Sequence, residues 1–241
     1  MQGEVERACR ETCGTGARVT AAGRTDAGVH AAGQVAGVKL EWRRGPERLR
    51  DALNARLPAD VAVIGCAEAP AGFDARRDAV ARVYRYAVLA RSVRSALLRR
   101  VAWWVREPLD AGAMRQAARL FEGHRDFSAF TTKEGRARGA IRHVTRCRVA
   151  VDAPLILLDV EGNAFLHHMV RLIAAAVVEA GRGRLAAARI RRSLARLDTE
   201  PPAAMAPPQG LCLLAVRYRD ERRLPLPAWP AGAGIVGGRV P

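Results

Sequence analysis

The sequence predicts an α+β fold with a mainly antiparallel sheet. Strand-like and helix-like segments interleave along the chain without the regular β-α-β alternation that marks a parallel sheet. Two long strand-like segments, residues 141–151 and 155–161, are separated by only a few residues, and such a short link favours an antiparallel hairpin. The chain has 241 residues, 49% of them hydrophobic, which is enough to bury a sizeable core.

The N-terminal part of the chain is predicted to contain two helices among several strands. Apolar residues at four-residue steps predict a helix over residues 1–13, and prolines at its two ends bracket an amphipathic helix over residues 46–57. In a strand over residues 82–90, alternation places Tyr84 and Tyr86 on one face. The predicted strands of this part are residues 17–22, 34–40, 61–67 and 82–90.

The C-terminal part is predicted to combine the hairpin with three helices. Asp110 is a suitable N-cap for a helix that closes near Gly123, because its carboxylate can accept from the free backbone N–H groups of the first turn. Apolar spacing predicts a second helix over residues 166–180, capped by Gly181, and an Arg-rich helix follows. The remaining predicted elements are the helix 185–197 and the strands 99–105, 141–151, 155–161 and 211–218.

The charge of the chain indicates a polyanionic partner. Forty Lys and Arg residues face 24 Asp and Glu residues, giving a net charge of +16 and an isoelectric point near 11.2. Nucleic acid or an anionic membrane surface would satisfy this excess. No apolar run approaches the roughly 20 residues that a membrane-spanning helix needs, and no signal peptide pattern opens the chain. These observations favour a protein that binds nucleic acid over one that binds a membrane.

The cysteines and histidines predict neither disulfides nor a metal site. The five cysteines are odd in number and form no C-x-x-C pair, so we interpret them as reduced residues of a cytoplasmic protein. His167 and His168 are adjacent in sequence, and adjacent side chains diverge on any regular element. Without a second ligand motif, we expect no metal at this position.

One polar loop stands out as a candidate for chemistry. Residues 23–31 read GRTDAGVHA and lie between two strand-like segments, so the loop displays Asp26 beside the cation of Arg24. One interpretation is an Asx turn, in which Asp26 hydrogen-bonds its own backbone and Gly28 supplies a positive φ. The other is a reactive carboxylate. A lone carboxylate flanked by cations and lacking a second acid suits nucleophilic attack rather than general acid catalysis.

Five segments in order resemble the motifs of one enzyme family. They are GRTDAGVHA at residues 23–31, FDAR at 73–76, RVYRY at 82–86, DFSAF at 126–130 and NAFLHHMVR at 163–171. Together they resemble the tRNA pseudouridine synthase A family, and the resemblance runs from near residue 1 to about residue 220. It favours the reactive interpretation of the loop over the Asx turn.

The resemblance implies a fold and a division of the chain. It implies the pseudouridine synthase fold, in which two similar α/β halves with mainly antiparallel sheets flank a central cleft. We place the N-terminal half, with the Asp loop, at residues 1–90 and the C-terminal half at residues 91–220. Residues 221–241, rich in Pro and Gly, are predicted to be a disordered tail. Family members open with a strand and a Gly-Trp loop that this sequence lacks, so we expect the reading frame to extend upstream of Met1.

The resemblance also implies an activity and a set of site residues. Family members isomerise uridine to pseudouridine at nucleotides 38–40 in the anticodon arm of tRNA, act as homodimers and use no cofactor. Asp26 matches the nucleophile, Tyr84 the tyrosine against the target base, and Arg171 the partner of the aspartate. Arg24 matches an arginine that fills the gap left by the flipped nucleotide, and Leu211 is expected to pack beneath the uracil.

An alternative of another class is a non-catalytic RNA-binding homologue. Such a protein would keep the fold and the charge while having lost activity together with its first strand. The joint presence of Asp26, Tyr84 and Arg171 argues against it, because a binding protein needs none of the three as a set. The sequence does not show which of the three nucleotides is modified. It also leaves open whether Asp26 attacks the ribose or the uracil ring.

Overall fold

A mixed sheet and the helices packed on it form the body of the molecule. The computed structural model describes residues 1–14, 16–136, 139–198 and 200–219. The strands in these residues are β1 (Val19–Ala21), β2 (His30–Ala31), β3 (Ala36–Val38), β4 (Ala79–Ala90), β5 (Trp103–Val105), β6 (Gly123–Asp126), β7 (Ile141–Asp152), β8 (Leu155–Gly162) and β9 (Leu211–Tyr218). The helices are α1 (Gln2–Cys13), α2 (Pro46–Asn54), α3 (Ala111–Arg119), α4 (Lys133–Arg136), α5 (Met169–Gly181) and α6 (Ala187–Leu194).

The topology confirms the predicted α+β class with a mainly antiparallel sheet. Within the described residues, seven strands form one sheet in the order β2-β9-β4-β8-β7-β6, with β5 paired to the end of β4. Only the β2–β9 and β4–β5 pairs are parallel. The predicted hairpin is β7–β8, which runs from Asp152 opposite Leu155 back to Val144 opposite Gly162, with one register shift between Arg146 and Val144. A separate two-stranded sheet pairs β1 with β3.

Strand β4 lies at the centre of the large sheet and separates two apolar layers. Tyr84, Tyr86 and Val88 point into the main core, which they share with buried residues of α3 and α5. Ala87 and Leu89 point to the opposite face, where a smaller cluster includes residues of β8. This confirms the predicted alternation. It also puts Tyr84 on the same side of the sheet as α5, the helix that carries the predicted partner of Asp26.

Among the helices in the described residues, α5 is the most deeply buried. Nearly all of its side chains are buried, from Met169 to Gly181, because β4, the Ser128–Phe130 turn and α3 surround it. Fully burying an aliphatic residue such as Ile173, which is 0% exposed, contributes about 1.5–3 kcal/mol relative to leaving it in water. Residues on the first turn of α5 are therefore held by a rigid support.

One predicted strand and several predicted element boundaries differ from the structure, and the strand predicted over 99–105 covers only Trp103–Val105. Residues 61–67 form no strand, because the side chain of Asn54 takes both backbone groups of Val63, at 2.7 and 2.8 Å, in place of a neighbouring strand. The helix predicted over 166–180 begins only at Met169, since His168 has a left-handed backbone with φ of 65°. The amphipathic helix ends at Asn54 and the Arg-rich helix spans Ala187–Leu194. The predicted tail at 221–241 lies outside the described residues.

Asp110 caps α3 as predicted. Its side chain accepts hydrogen bonds from the backbone N–H groups of Gly112 and Ala113, and the inner face of the helix is buried. Among the described residues, every helix falls short of the length and apolar character needed to cross a bilayer. All five cysteines are free thiols.

Candidate active site

The loop between β1 and β2 holds Asp26 by its backbone and leaves its side chain available. The N–H of Val29 donates to the carbonyl of Asp26 at 3.1 Å, and Gly28 has a φ of 81°, which only glycine adopts easily in such a turn. In the described part of the chain, no backbone group donates to the Asp26 carboxylate. The turn is therefore made by main-chain groups, and the Asx turn considered from the sequence is not formed.

The carboxylate of Asp26 is bound instead by Arg171 from the first turn of α5. Arg171 Nη1 donates to Asp26 Oδ2 at 2.7 Å, and Arg171 Nε donates to the backbone carbonyl of Ala206 at 2.9 Å. The Arg171 side chain is only 9% exposed, whereas that of Asp26 is 21% exposed. The bond joins two charged groups and is of the short, strong class. The structure thus brings together two residues that are 145 positions apart.

Tyr84 and Leu211 line the same side of the sheet. Tyr84 is 8% exposed, and its ring makes an edge-to-face contact with Phe165 at 5.2 Å between centroids. Burial, and to a lesser extent the charge of Asp26, raise the pKa of Tyr84 to about 12, so its phenol stays neutral at physiological pH. Leu211, at the start of β9, is buried in the same core cluster and pairs across the strands with Tyr86.

The segment before β9 connects these residues to the Asp26 loop. The ring of Pro208 lies 3.1 Å from the position that a Cβ on Gly28 would occupy, so the loop and this segment are in close contact. A Cβ on Gly210 would lie 2.7 Å from the ring of Tyr86, and only glycine fits there. The Tyr86 hydroxyl donates to the carbonyl of Pro207 at 2.6 Å. Tyr86 is therefore a structural residue.

Arg24 is not part of this contact network. Its side chain is exposed, and it forms no ion pair or hydrogen bond with another described residue. The structure therefore brings together Asp26, Tyr84, Arg171 and Leu211, and leaves Arg24 on the surface of the same loop.

His167 and His168 do not diverge, contrary to the expectation from their adjacency. The left-handed backbone of His168 turns the chain just before α5, and the two imidazoles have ring centroids 3.6 Å apart and planes inclined by 30°. Both Nε2 atoms lie near Asp26, at 3.4 Å from Oδ1 for His167 and 3.5 Å from Oδ2 for His168. The expectation was wrong because neither residue belongs to a regular element.

The environment of the histidine pair holds its backbone and shifts the pKa of His168. The hydroxyl of buried Thr131 donates to the backbone carbonyl of His167 at 3.0 Å. Burial lowers the pKa of His168, Asp26 opposes this shift, and the neighbouring His167 and Arg171 add to it. The three side chains of Asp26, His167 and His168 are the one described group with metal-ligand atoms within 4.8 Å of one another.

Arg82 is a site residue that sequence reasoning did not single out. Its guanidinium donates to four backbone carbonyls, at Ala22, Arg76, Ala79 and Asn163, over 2.7–3.0 Å. Ala22 directly precedes the Asp26 loop, and Asn163 precedes Phe165 and the histidines. Arg82 therefore joins the two segments that face Tyr84. Its place two positions before Tyr84 in the RVYRY motif was the available signal.

The geometry suits a nucleophile that is oriented by one fixed cation. Arg171 occupies Oδ2, and in the described residues the Oδ1 oxygen has no hydrogen-bond donor, so one lone-pair-bearing atom remains open to a substrate. No second carboxylate approaches Asp26 among these residues, so a two-acid mechanism has no partner here.

Comparisons with known proteins agree on one family. A family model described as tRNA pseudouridine synthase matches residues 117–219. The chain is 40% identical over 221 residues to a tRNA pseudouridine synthase A of Methylococcus capsulatus, covering 92% of this chain and 82% of the relative. It is 41% identical to that of Geobacter sulfurreducens, with 83% and 82% covered, and 42% identical to that of Acidiphilium cryptum, with 83% and 79% covered.

These matches cover between 83% and 92% of this chain and about four fifths of each relative. Identities of about 40% over such lengths show more than a similar fold. The chain therefore belongs to the tRNA pseudouridine synthase A family.

Proposed function

We propose that this protein isomerises uridine to pseudouridine at nucleotides 38–40 of the tRNA anticodon arm, with Asp26 as the nucleophile. The family membership makes the chain a tRNA-directed isomerase, and the target nucleotides and the role of Asp26 are our inference. The observation that carries this inference is the Asp26–Arg171 contact at 2.7 Å, which leaves one carboxylate oxygen open beside Tyr84.

The proposed reaction needs no atom from outside the substrate. The N1–C1′ glycosidic bond of uridine breaks, the uracil turns, and a C5–C1′ bond forms. The proton lost from C5 is balanced by the proton gained at N1. Asp26 supplies the electron pair that forms the covalent intermediate, and the same bond breaks when the product is released. Neither a metal nor a redox cofactor is required by this balance.

The surrounding residues have separate parts in this proposal. Arg171 holds the Asp26 carboxylate in place and compensates its charge, and Leu211 supports the uracil from below. Tyr84 lies against the base as a neutral phenol, because burial raises its pKa to about 12, so in this proposal it positions the uracil rather than acting as the base that takes the C5 proton. The exposed Arg24 is free to fill the space that a flipped nucleotide leaves, since a stacked base cannot reach Asp26.

The excess positive charge supports recognition of the RNA backbone. One site that serves three adjacent nucleotides has to read the shape and phosphates of tRNA rather than base edges, and a net charge of +16 suits that mode of binding. We further propose that the protein acts as a homodimer in the cytoplasm. The free thiols are compatible with a reducing compartment.

The substitution Asp26→Asn tests the proposal, because Asn keeps the volume and the turn but is no nucleophile. We expect the variant to fold, to bind unmodified tRNA with near-normal affinity and to form no pseudouridine detectable by carbodiimide modification. Asp60→Asn, which changes an exposed carboxylate, is the matched control and should remain active. Pseudouridine formation by Asp26→Asn, with deamidation excluded by mass spectrometry, would contradict the proposed role.

A further inference from the structure

The group formed by Asp26, His167 and His168 has a geometry that hydrogen bonding does not explain. The two histidine Nε2 atoms lie 3.4 and 3.5 Å from the Asp26 oxygens, and neither contact is a hydrogen bond. In contrast, Arg171 Nη1 bonds to the same carboxylate at 2.7 Å. Both histidines therefore lie close to the carboxylate without being hydrogen-bonded to it.

The same distances fit three ligands of one metal ion. Zinc binds imidazole nitrogen and carboxylate oxygen at about 2.0–2.1 Å in a tetrahedron, so two ligand atoms of one ion are separated by about 3.3–3.5 Å. Each histidine lies at such a separation from one of the two Asp26 oxygens, His167 from Oδ1 at 3.4 Å and His168 from Oδ2 at 3.5 Å. All three ligand atoms lie within 4.8 Å of one another, so small side-chain rotations would complete the set. Two imidazoles and one carboxylate form a ligand set typical of divalent transition metals.

We propose that Asp26, His167 and His168 form a site for a divalent transition metal such as Zn²⁺, and that its occupancy inhibits the enzyme. The ion would bind the Asp26 oxygen that the proposed reaction uses and would stand where the uridine has to enter. The inhibition, but not the binding, rests on the proposed role of Asp26.

The neighbouring cation indicates why this site is inhibitory and reversible rather than the place of a resident ion. The Arg171 guanidinium, 2.7 Å from the same carboxylate, repels a second positive charge and weakens its binding. His167 is 57% exposed, so the ion has open access from solvent and a free path to leave. Mg²⁺ prefers six oxygen ligands and is not matched by two imidazoles, so the site should discriminate against it.

Metal binding can be measured without reference to activity. Untagged, chelator-treated protein is titrated with Co²⁺ and followed by the visible absorption of tetrahedral cobalt, with Zn²⁺ added to displace it. We expect one site in the wild type and an affinity lower by about tenfold or more in His167→Gln, since even outer-shell changes cost about 10–100-fold. The matched control is His124→Gln/His143→Gln, which removes the other stacked histidine pair, with centroids 4.1 Å apart, and should bind like the wild type.

Two results would overturn the site. Equal cobalt affinity in the wild type and in His167→Gln would show that other groups, such as the thiols, hold the ion. Loss of binding in the His124→Gln/His143→Gln control would place the site on β6 and β7. His168→Asn serves as a second variant that tolerates the left-handed backbone, and its affinity should fall as well.

Inhibition is then measured as the fraction of each protein's own metal-free activity on tRNA. Zn²⁺ should inhibit the wild type and the control pair, a chelator should restore activity, and an equal concentration of Mg²⁺ should have no such effect. His167→Gln should need about tenfold more Zn²⁺ for the same inhibition. Equal inhibition of His167→Gln would show that zinc acts through the tRNA. If Asp26→Asn proves active, the proposed nucleophile is wrong, while the cobalt titration still decides whether the metal site exists.

Discussion

Two arginine–aspartate pairs with nearly equal burial differ in how completely their atoms are used. Arg85 and Asp159, on neighbouring strands β4 and β8, have side chains that are 10% and 20% exposed, and they form two parallel bonds of 2.7 and 2.9 Å. Arg171 and Asp26 are 9% and 21% exposed, yet Arg171 gives Asp26 one bond and uses its Nε on Ala206.

The difference separates a structural pair from the pair that we propose to be reactive. Asp159 lies on a strand and has both oxygens bound by Arg85, so it has little capacity left for a substrate. Asp26 lies on a loop, and only one of its oxygens is bound. The exposed fractions of the side chains and the shortest bond distances are nearly equal in the two pairs, so neither quantity distinguishes them. The pairs differ in the number of carboxylate oxygens that accept no hydrogen bond from any described residue.

The two tyrosines of β4 show the same contrast. Tyr86 is fully buried and its hydroxyl donates to the carbonyl of Pro207 at 2.6 Å. Tyr84 is nearly as buried, but its hydroxyl forms no hydrogen bond with any described residue. As with the carboxylates, the hydroxyl without a hydrogen bond, that of Tyr84, belongs to the candidate site. The bonded hydroxyl of Tyr86 lies only two positions further along the strand.

The largest expected effect is on stability and concerns the structural pair. Arg85→Met leaves Asp159 buried without its partner, and we expect the free energy of unfolding to fall by about 3–5 kcal/mol. Urea denaturation followed by circular dichroism measures this change. Arg85→Met/Asp159→Leu should recover much of the loss, because no buried charge remains. A single variant as stable as the wild type would show that the fully bonded pair is not structural.

The next effect is on activity and concerns the site pair. In Arg171→Lys the charge is kept, but an ammonium cannot bind Asp26 and the Ala206 carbonyl in the geometry of a guanidinium. We expect turnover on tRNA to fall by about 10²-fold, which is the cost of a small misplacement of a reacting group. Arg85→Lys is the matched control and should keep its turnover at a temperature where it is folded. A similar loss of turnover in Arg85→Lys would show that the two arginine–aspartate pairs do not differ in their importance for activity.

A smaller difference is expected between the tyrosine variants. Tyr86→Phe leaves the Pro207 carbonyl without its donor inside the core, so the free energy of unfolding should fall by about 1–3 kcal/mol. Tyr84→Phe removes no hydrogen bond to a described residue and should cost less stability, while it lowers turnover. Paired denaturation and activity measurements check both. If Tyr84→Phe lowered the free energy of unfolding more than Tyr86→Phe, the structural role assigned to the Tyr86 hydroxyl would be wrong.

The smallest effect is a change in the pH dependence of stability. Burial raises the pKa of Tyr84 from 10.0 to about 12, so above pH 10 the unfolded chain loses a proton that the folded chain keeps. The stabilising contribution is complete below pH 10 and is lost as the pH rises toward 12. Denaturation at several pH values should show this fall, and Tyr84→Phe should make it less steep. Tyr218, also raised to about 12 by burial, contributes to the part that remains.

The sequence predicted those parts of the molecule that depend on local pattern. The alternation in β4, the hairpin β7–β8 and the Asp110 cap follow from residue spacing and capping chemistry, and the structure confirms all three. The residues 61–67 have the composition of a strand but lack a neighbouring strand to pair with. That absence is a property of the tertiary arrangement, which the pattern of one segment does not contain.

The candidate site could be predicted as a set of residue types but not as a set of contacts. The motif around Asp26 and the one that contains Arg171 pointed to their pairing, which the structure shows. The histidines were interpreted wrongly because a single left-handed residue, His168, reverses the direction of its side chain relative to a helix. The role of Arg82 depends in part on the carbonyls of Ala22 and Asn163, which are 60 and 81 positions away, and its place in the RVYRY motif does not identify these partners.

The separation of 145 residues between Asp26 and Arg171 has a consequence during protein synthesis. Asp26 leaves the ribosome long before α5 exists, so the emerging chain carries the carboxylate without the group that orients it. The Asp26–Arg171 contact can form only when α5 has been made and has packed beneath the sheet. On the function proposed above, a nascent or truncated chain without α5 is therefore expected to be inactive, and completion of the fold is the step at which activity should begin.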